Sequence, residues 1–167
     1  MFKPSRYFDP QKIKYHELYW SIAEKAAQQS VANRHKVGAV FVTSSGMLSL
    51  GWNGMPSGLS NDCESSYIRC DEHPDGIRAK TNPEVIHAEQ NALDKMARQG
   101  LAVEGSILFV TRAPCMECAK KLHNLGLKAI VYAESHDDMS GVELLKKVGV
   151  PIYHKSMMTP QIYYSLN

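Results

Sequence analysis

Two short segments hold the residue types that do chemistry. His87-Ala88-Glu89 and Pro114-Cys115-Met116-Glu117-Cys118 supply one imidazole, two thiols and a carboxyl group with no ligand role of its own. One histidine and two cysteines are a zinc donor set, and two thiolates with a neutral imidazole balance a dication. With Pro114 as the first residue of a helix, Cys115 and Cys118, three apart, project from one face of its first turn. The positive end of the helix dipole and the metal itself both favour the thiolate form. Three protein ligands leave the fourth tetrahedral position to water, which separates a catalytic zinc from a structural one. Zinc lowers the pKa of such a water from about 15.7 to roughly 7. Residues i and i+2 do not share a helix face, so His87 is expected in the capping turn, with Glu89 pointing separately at the reacting centre to shuttle protons.

These two segments must be carried by elements that bring them together. The three- and four-residue spacing of Leu18, Ile22 and Ala26, with Ala23 and Ala27, predicts a helix from Tyr15 that ends before Asn33-Arg34. Strands are predicted over 37–42 and 47–52, antiparallel and joined by Ser44-Ser45-Gly46. The stretch 53–83 breaks into Gly, Pro, Ser, Asn and Asp and reads as a long loop, a kind that tends to be functional. Then come a helix over 88–98 closed by Gly100, a strand over 107–111 and a helix over 114–125 closed by Gly126. A strand over 129–132, a helix capped by Ser140 and running to 148, and a strand over 150–153 complete the order αββαβαβαβ. Strand-helix-strand repetition implies parallel pairing, hence a three-layer α/β/α domain on a single mixed five-stranded sheet. Both chemical segments sit at helix starts, so a metal is expected between two helix N-termini at one edge of the sheet. Residues 1–14 read as an arm docked on the core or on a neighbouring subunit, 15–155 as the domain and 156–167 as a tail.

Composition bounds the function. The 167 residues suffice for one domain with a real core, and four cysteines are too few for a disulfide framework. A thiolate metal site needs reduced sulfur, so a cytoplasmic location is expected. No apolar run approaches the ~18 residues of a membrane span. The net charge of +2, with scattered basic residues, argues against a stable nucleic-acid partner while leaving room for a nucleotide.

The pairing of H-x-E with P-C-x-x-C is the general signature of zinc nucleobase deaminases. On these motifs the chain resembles the cytidine deaminase superfamily, and within it the deoxycytidylate (dCMP) deaminases, over roughly residues 15–155. The narrower resemblance is carried by Asn33-Arg34-His35-Lys36-Val37-Gly38-Ala39-Val40, by Gly51-Trp52-Asn53-Gly54-Met55-Pro56-Ser57-Gly58 and by the long insertion before His87. It implies a Zn2+ enzyme that converts dCMP and water to dUMP and ammonia, feeding thymidylate synthesis. It also implies that Glu89 holds the pyrimidine edge, Asn53 contacts the sugar and Arg34 lies near the 5′-phosphate. His136 stands where many relatives carry a tyrosine that closes over the substrate, and Ala113 where they often carry phenylalanine. Each assignment has a plainer alternative: Asn53-Gly54 is a common turn pair, Arg34 a solvated helix-end cation, His136 an exposed loop histidine. The resemblance further implies a homohexamer activated by dCTP and inhibited by dTTP. The triphosphate, with Mg2+ on its phosphates, would bind around Asn53, Gly54, Pro56, Ser57 and Gly58. Some relatives bind a second zinc in the insertion, for which Cys63, Cys70 and His73 are the candidates here. They are three donors where a closed site needs four, and the alternative is free thiols in a loop.

Two other function classes remain at this stage. A deaminase of another substrate, such as a nucleoside, a riboflavin precursor or adenosine in tRNA, would share the zinc motifs, although a tRNA enzyme would want a more basic surface. A non-catalytic zinc module would share the ligands but has no use for an unligated carboxyl group beside an open coordination position.

Overall fold

The computed structural model describes residues 9–166. Its centre is a five-stranded mixed sheet of order β2-β1-β5-β6-β7, with β1 (Gly38–Val42), β2 (Leu48–Trp52), β5 (Ile107–Arg112), β6 (Ala129–Glu134) and β7 (Ile152–His154). β1 is antiparallel to both β2 and β5, while β5, β6 and β7 run parallel, as strand-helix-strand crossovers require.

The central strands are buried on both faces, and their side chains alternate between two cores. Val40, Val42, Ile107, Phe109, Ala129 and Val131 point to a core shared with Tyr19, Trp20 and Ala23 of α1 (His16–Ala27) and Tyr163 of α5 (Pro160–Ser165). Ala39, Phe41, Leu108, Val110, Ile130 and Tyr132 point the other way. They meet Ala88, Ala92 and Met96 of α2 (Ala88–Gln99), Ala119 and Leu122 of α3 (Met116–Leu122), and Val142 and Leu145 of α4 (Ser140–Lys147). The expected three-layer α/β/α architecture is therefore present, with the helices that follow both chemical segments on one face.

Several boundaries differ from the sequence reading, each for a local reason. Pro114 is not the first helical residue: Cys115 is extended, with ψ 172°, and serves as N-cap, so α3 starts at Met116. That helix ends at Leu122 rather than 125, because the chain tightens there into a turn that closes on Gly126 at φ 64°. Ser140 lies inside α4 and does not cap it; Met139 holds the cap position, and the Asp138 carboxylate accepts from the Ser140 amide at 2.8 Å. β7 starts at Ile152, after Pro151, which has no N–H to give a ladder. The stretch 53–83 is not all loop: it holds an antiparallel ribbon of β3 (Ser66–Arg69) and β4 (Ile77–Lys80). The described part of the expected tail 156–167, residues 156–166, is not bare either, since Thr159 caps α5 and Tyr163 is fully buried. Residues 1–8 of the expected arm lie outside the described residues. Its remainder docks on the core, with the buried Gln11 amide donating to the carbonyls of Val42 at 2.9 Å and Gly105 at 2.8 Å.

Candidate active site

Two glycines set how closely the helix starts press on their supports. A Cβ on Gly51 of β2 would lie 2.1 Å from the Ala88 carbonyl oxygen, so β2 and the first turn of α2 touch backbone to backbone. A Cβ on Gly141 of α4 would lie 2.4 Å from the Pro114 carbonyl oxygen and 2.6 Å from the Cys115 carbonyl carbon. Only glycine permits either approach. His87, the N-cap of α2, and Cys115, the N-cap of α3, are thereby held from behind.

The three donors converge. His87 Nδ1 lies 3.3 Å from Cys118 Sγ and 3.4 Å from Cys115 Sγ, and all three ligand atoms fall within 4.8 Å of one another. For Zn–S of about 2.3 Å and Zn–N of about 2.05 Å, the N···S edge of a tetrahedron is about 3.6 Å, so the triangle fits a zinc ion. No other grouping of three or more His, Cys, Asp or Glu donors occurs among the described residues. The donors hold each other electrostatically as well. A hydrogen bond from Cys118 holds the Cys115 thiol down to about 3, and the same bond, aided by burial, pushes Cys118 up. The shift favours the thiolate form at Cys115, and a dication would favour it at both sulfurs. The hydrogen bond to Cys115 raises His87 against the opposing effect of burial.

Glu89, in the first turn of α2, is 4 % exposed and lines the same pocket as His87 and Cys115. Burial raises its pKa, partly offset by a bond from its own backbone amide and by the His87 charge. A carboxyl group held toward its neutral form beside a metal site can both give and take a proton. His87 takes the capping position and Glu89 the first turn of the helix, the placement that their spacing implied.

The pocket runs from this pair to a cluster of cations. Arg34, Asn53, Ala113 and His136, all singled out in the sequence, line it together with His35, Thr81, Arg112 and Asp137. Asn53 is buried and its amide spans the preceding loop, accepting from the Val37 amide at 2.8 Å and donating to the His35 carbonyl at 2.8 Å. It thereby shapes the 33–37 turn while keeping one donor hydrogen and one lone pair for a ligand. Glu64, from the insertion, fixes the same turn by accepting from the amides of Asn33 at 3.0 Å and Arg34 at 3.2 Å. His35 Nδ1 lies 3.4 Å from Arg112 Nη1. A guanidinium can only donate, so that imidazole is neutral with its proton on Nε2; burial, then Arg112 and Arg34, lower its pKa accordingly.

Arg112, Arg78 and Asp137 were not among the residues singled out. Arg34, Arg78 and Arg112 converge on the Asp137 carboxylate at 3.4, 3.7 and 2.8 Å. They come from the 33–37 turn, from β4 and from the end of β5, so only the fold unites them. One sequence signal was available: Arg112 closes a strand that opens with four apolar residues, two residues before Pro114. Cys63, Cys70 and His73 are not brought together as a second metal site. Cys63 is 1 % exposed and packs with Ala32 and Val85, whereas Cys70 and His73 lie in the turn between β3 and β4, where the His73 amide donates to the Cys70 carbonyl. Gly54 pairs with Ile86 across an isolated bridge just before His87, and Gly58 takes φ 95° in an exposed turn.

A mixed α/β/α sheet that presents H-x-E and P-C-x-x-C at two adjacent helix starts defines the class of zinc hydrolytic deaminases. Residues 13–134 match the cytidine and deoxycytidylate deaminase zinc-binding region, and the chain belongs to that family within the cytidine deaminase superfamily. It is similar to the crystal structure of dCMP deaminase from cyanophage S-TIM5 in complex with dCMP and dUMP, at 38 % identity and TM-score 0.73 over 86 % of this chain and 98 % of that one. It is 31 % identical over 144 residues to mouse deoxycytidylate deaminase, covering 83 % of this chain and 78 % of the relative. It is also 27 % identical over 165 residues to the phage T4 deoxycytidylate deaminase, covering 80 % and 86 %.

Proposed function

We propose that this protein deaminates dCMP hydrolytically to dUMP and ammonia, with Glu89 as its proton carrier. The observation that carries the reading is one continuous pocket with a buried carboxyl group beside a His/Cys/Cys triangle at one end and clustered guanidinium groups at the other. Those ends suit a cytosine ring and a 5′-phosphate. His87, Cys115 and Cys118 would hold Zn2+, which when bound supplies the Lewis acidity that makes water nucleophilic near neutral pH.

The chain's own groups do the rest. Glu89 takes a proton from the attacking water and delivers it to N3 of the ring as the new oxygen bond forms at C4. Glu89 then takes the second proton from the new C4 hydroxyl and gives it to the exocyclic amine, so that the carbonyl forms as the C4–N4 bond breaks and ammonia leaves. Burial serves both transfers by keeping the carboxyl pKa high and bulk water out. Asn53 retains hydrogen-bonding capacity toward a sugar hydroxyl, His136 lies where it can cover the ligand, and Arg34 and Arg112 face the phosphate end. Backbone contact through Gly54, Pro56, Ser57 and Gly58 to a Mg2+-bound dCTP or dTTP, in a hexamer, is the regulatory part of the same reading. The open space around Gly54 and Gly58 supports it. Feeding dUMP to thymidylate synthesis in the cytoplasm is its metabolic part. Chromatography of zinc-loaded protein incubated with dCMP tests the proposal: dUMP should accumulate with equimolar ammonia, and intact dCMP would overturn it.

A further inference from the structure

Three guanidinium groups converge on one carboxylate that does not satisfy them. Asp137 makes a full-strength contact only with Arg112, at 2.8 Å; Arg34 at 3.4 Å and Arg78 at 3.7 Å are held at the edge of reach. Among the described residues, the buried Nε atoms of Arg78 and Arg112 have no hydrogen-bond partner. The cations are the less exposed members, at 12 % for Arg112 at the end of β5, 25 % for Arg34 and 36 % for Arg78, whereas the Asp137 side chain is 62 % exposed on the 135–139 loop between β6 and α4. The anion is thus the movable member of the group and the cations its fixed frame.

The carboxylate reaches only one of the three forks at full strength, whereas the three free oxygens of a phosphate monoester offer one to each arginine. The charge arithmetic agrees. Three arginines and one aspartate sum to +2, and a phosphate dianion brought in beside Asp137 would face a second anion at contact distance. The phosphate and the carboxylate therefore compete for one place.

We propose that Asp137 is an internal occupant of the phosphate subsite, seated among Arg34, Arg78 and Arg112 in the free enzyme and displaced into solvent by the 5′-phosphate of the nucleotide. The inference rests on the reading of this pocket as a nucleoside monophosphate site. Its consequence is selectivity: the carboxylate lowers the affinity for every anion, and only a ligand with both a dianionic phosphate and a base in the zinc-side pocket regains what displacing it costs. Ligands pay for that displacement as they would for any minor competent state, through an apparent affinity reduced by its population.

The experiment uses zinc-loaded full-length protein as wild type, Asp137→Asn and Asp137→Ala. Inorganic phosphate is titrated against the thermal unfolding midpoint, and kcat/KM is measured for dCMP and deoxycytidine. Removing an internal competitor should tighten inorganic phosphate by about three- to tenfold in both variants, lower the KM for dCMP by a similar factor and raise the preference for dCMP over deoxycytidine. Weaker phosphate binding with a higher KM in both variants would overturn the inference and make Asp137 an organiser of the arginines. Unchanged phosphate affinity would overturn it equally. Should no form turn over dCMP, the deaminase reading falls while the phosphate titration still decides the role of Asp137.

Discussion

In the proposed reaction the chemistry turns on Glu89, a buried carboxyl group that lines the same pocket as the metal donors His87 and Cys115. Glu89→Gln keeps the shape and loses the exchangeable proton, so turnover should fall by at least ~10²-fold with zinc retained, as read by steady-state rate and metal analysis on one sample. Near-normal turnover with full zinc would remove it from the mechanism. His87→Ala, Cys115→Ser and Cys118→Ser should instead lose zinc and activity together and lower the unfolding temperature, since each deletes one of three donors that tie two helix starts to one ion. Full occupancy in all three would exclude this ligand set. These four residues were readable in the sequence because their chemistry depends on local spacing. Arg78, Arg112 and Asp137 were not, because each is an ordinary surface charge until β4, β5 and the 135–139 loop converge.

At the scale of elements, the metal donors are only as well placed as the glycines behind them. Gly51→Ala and Gly141→Ala would each force a Cβ against backbone at 2.1 and 2.4 Å, distances no side-chain adjustment relieves. Each should cost about 1–3 kcal/mol by overpacking and lower zinc affinity by shifting α2 or the Cys115 backbone. Gly54→Ala, whose Cβ would meet nothing within 4 Å, should change stability by no more than about 0.5 kcal/mol. Denaturant midpoints and zinc content check all three, and equal effects would show that the close approaches do not position the site. The helices and central strands were readable because long apolar periods and Gly stops coincide, as in α2 with Gly100. The β3–β4 ribbon escaped because Ser66-Tyr67-Ile68-Arg69 shows no alternation, the alternation Ile77-Arg78-Ala79-Lys80 lasts only four residues, and the turn between them is rich in Asp, Pro and Gly. α5 carried a start signal, Thr159 before Pro160, but six residues give no period to read.

The whole molecule adds a pH term remote from the site. His16 is buried edge-on against Phe109 and Tyr163, with Nε2–H donating to the Gln11 carbonyl at 3.0 Å, and burial lowers its pKa below 6.5. The unfolded chain therefore binds a proton that the folded chain refuses. Its contribution to stability is complete above the unfolded value of 6.5 and is lost as pH falls through that value toward the lower folded one. His16→Gln should flatten the decline in unfolding temperature between about pH 7.5 and about pH 5.5, and an identical slope would remove His16 as its source. The same packing ties α5 and residues 9–15 to the face of the sheet opposite the active site, so acid should loosen that face first. The proposed activity requires a nucleotide as the substrate. Its most direct measurement is kcat/KM of zinc-loaded protein for dCMP and deoxycytidine side by side, with dUMP and ammonia quantified. A phosphate held by Arg34 and Arg112 predicts a preference for dCMP of about tenfold or more, from a charge-assisted hydrogen bond of about 1.5–3 kcal/mol. Equal values for the two substrates, or a preference for the nucleoside, would contradict it.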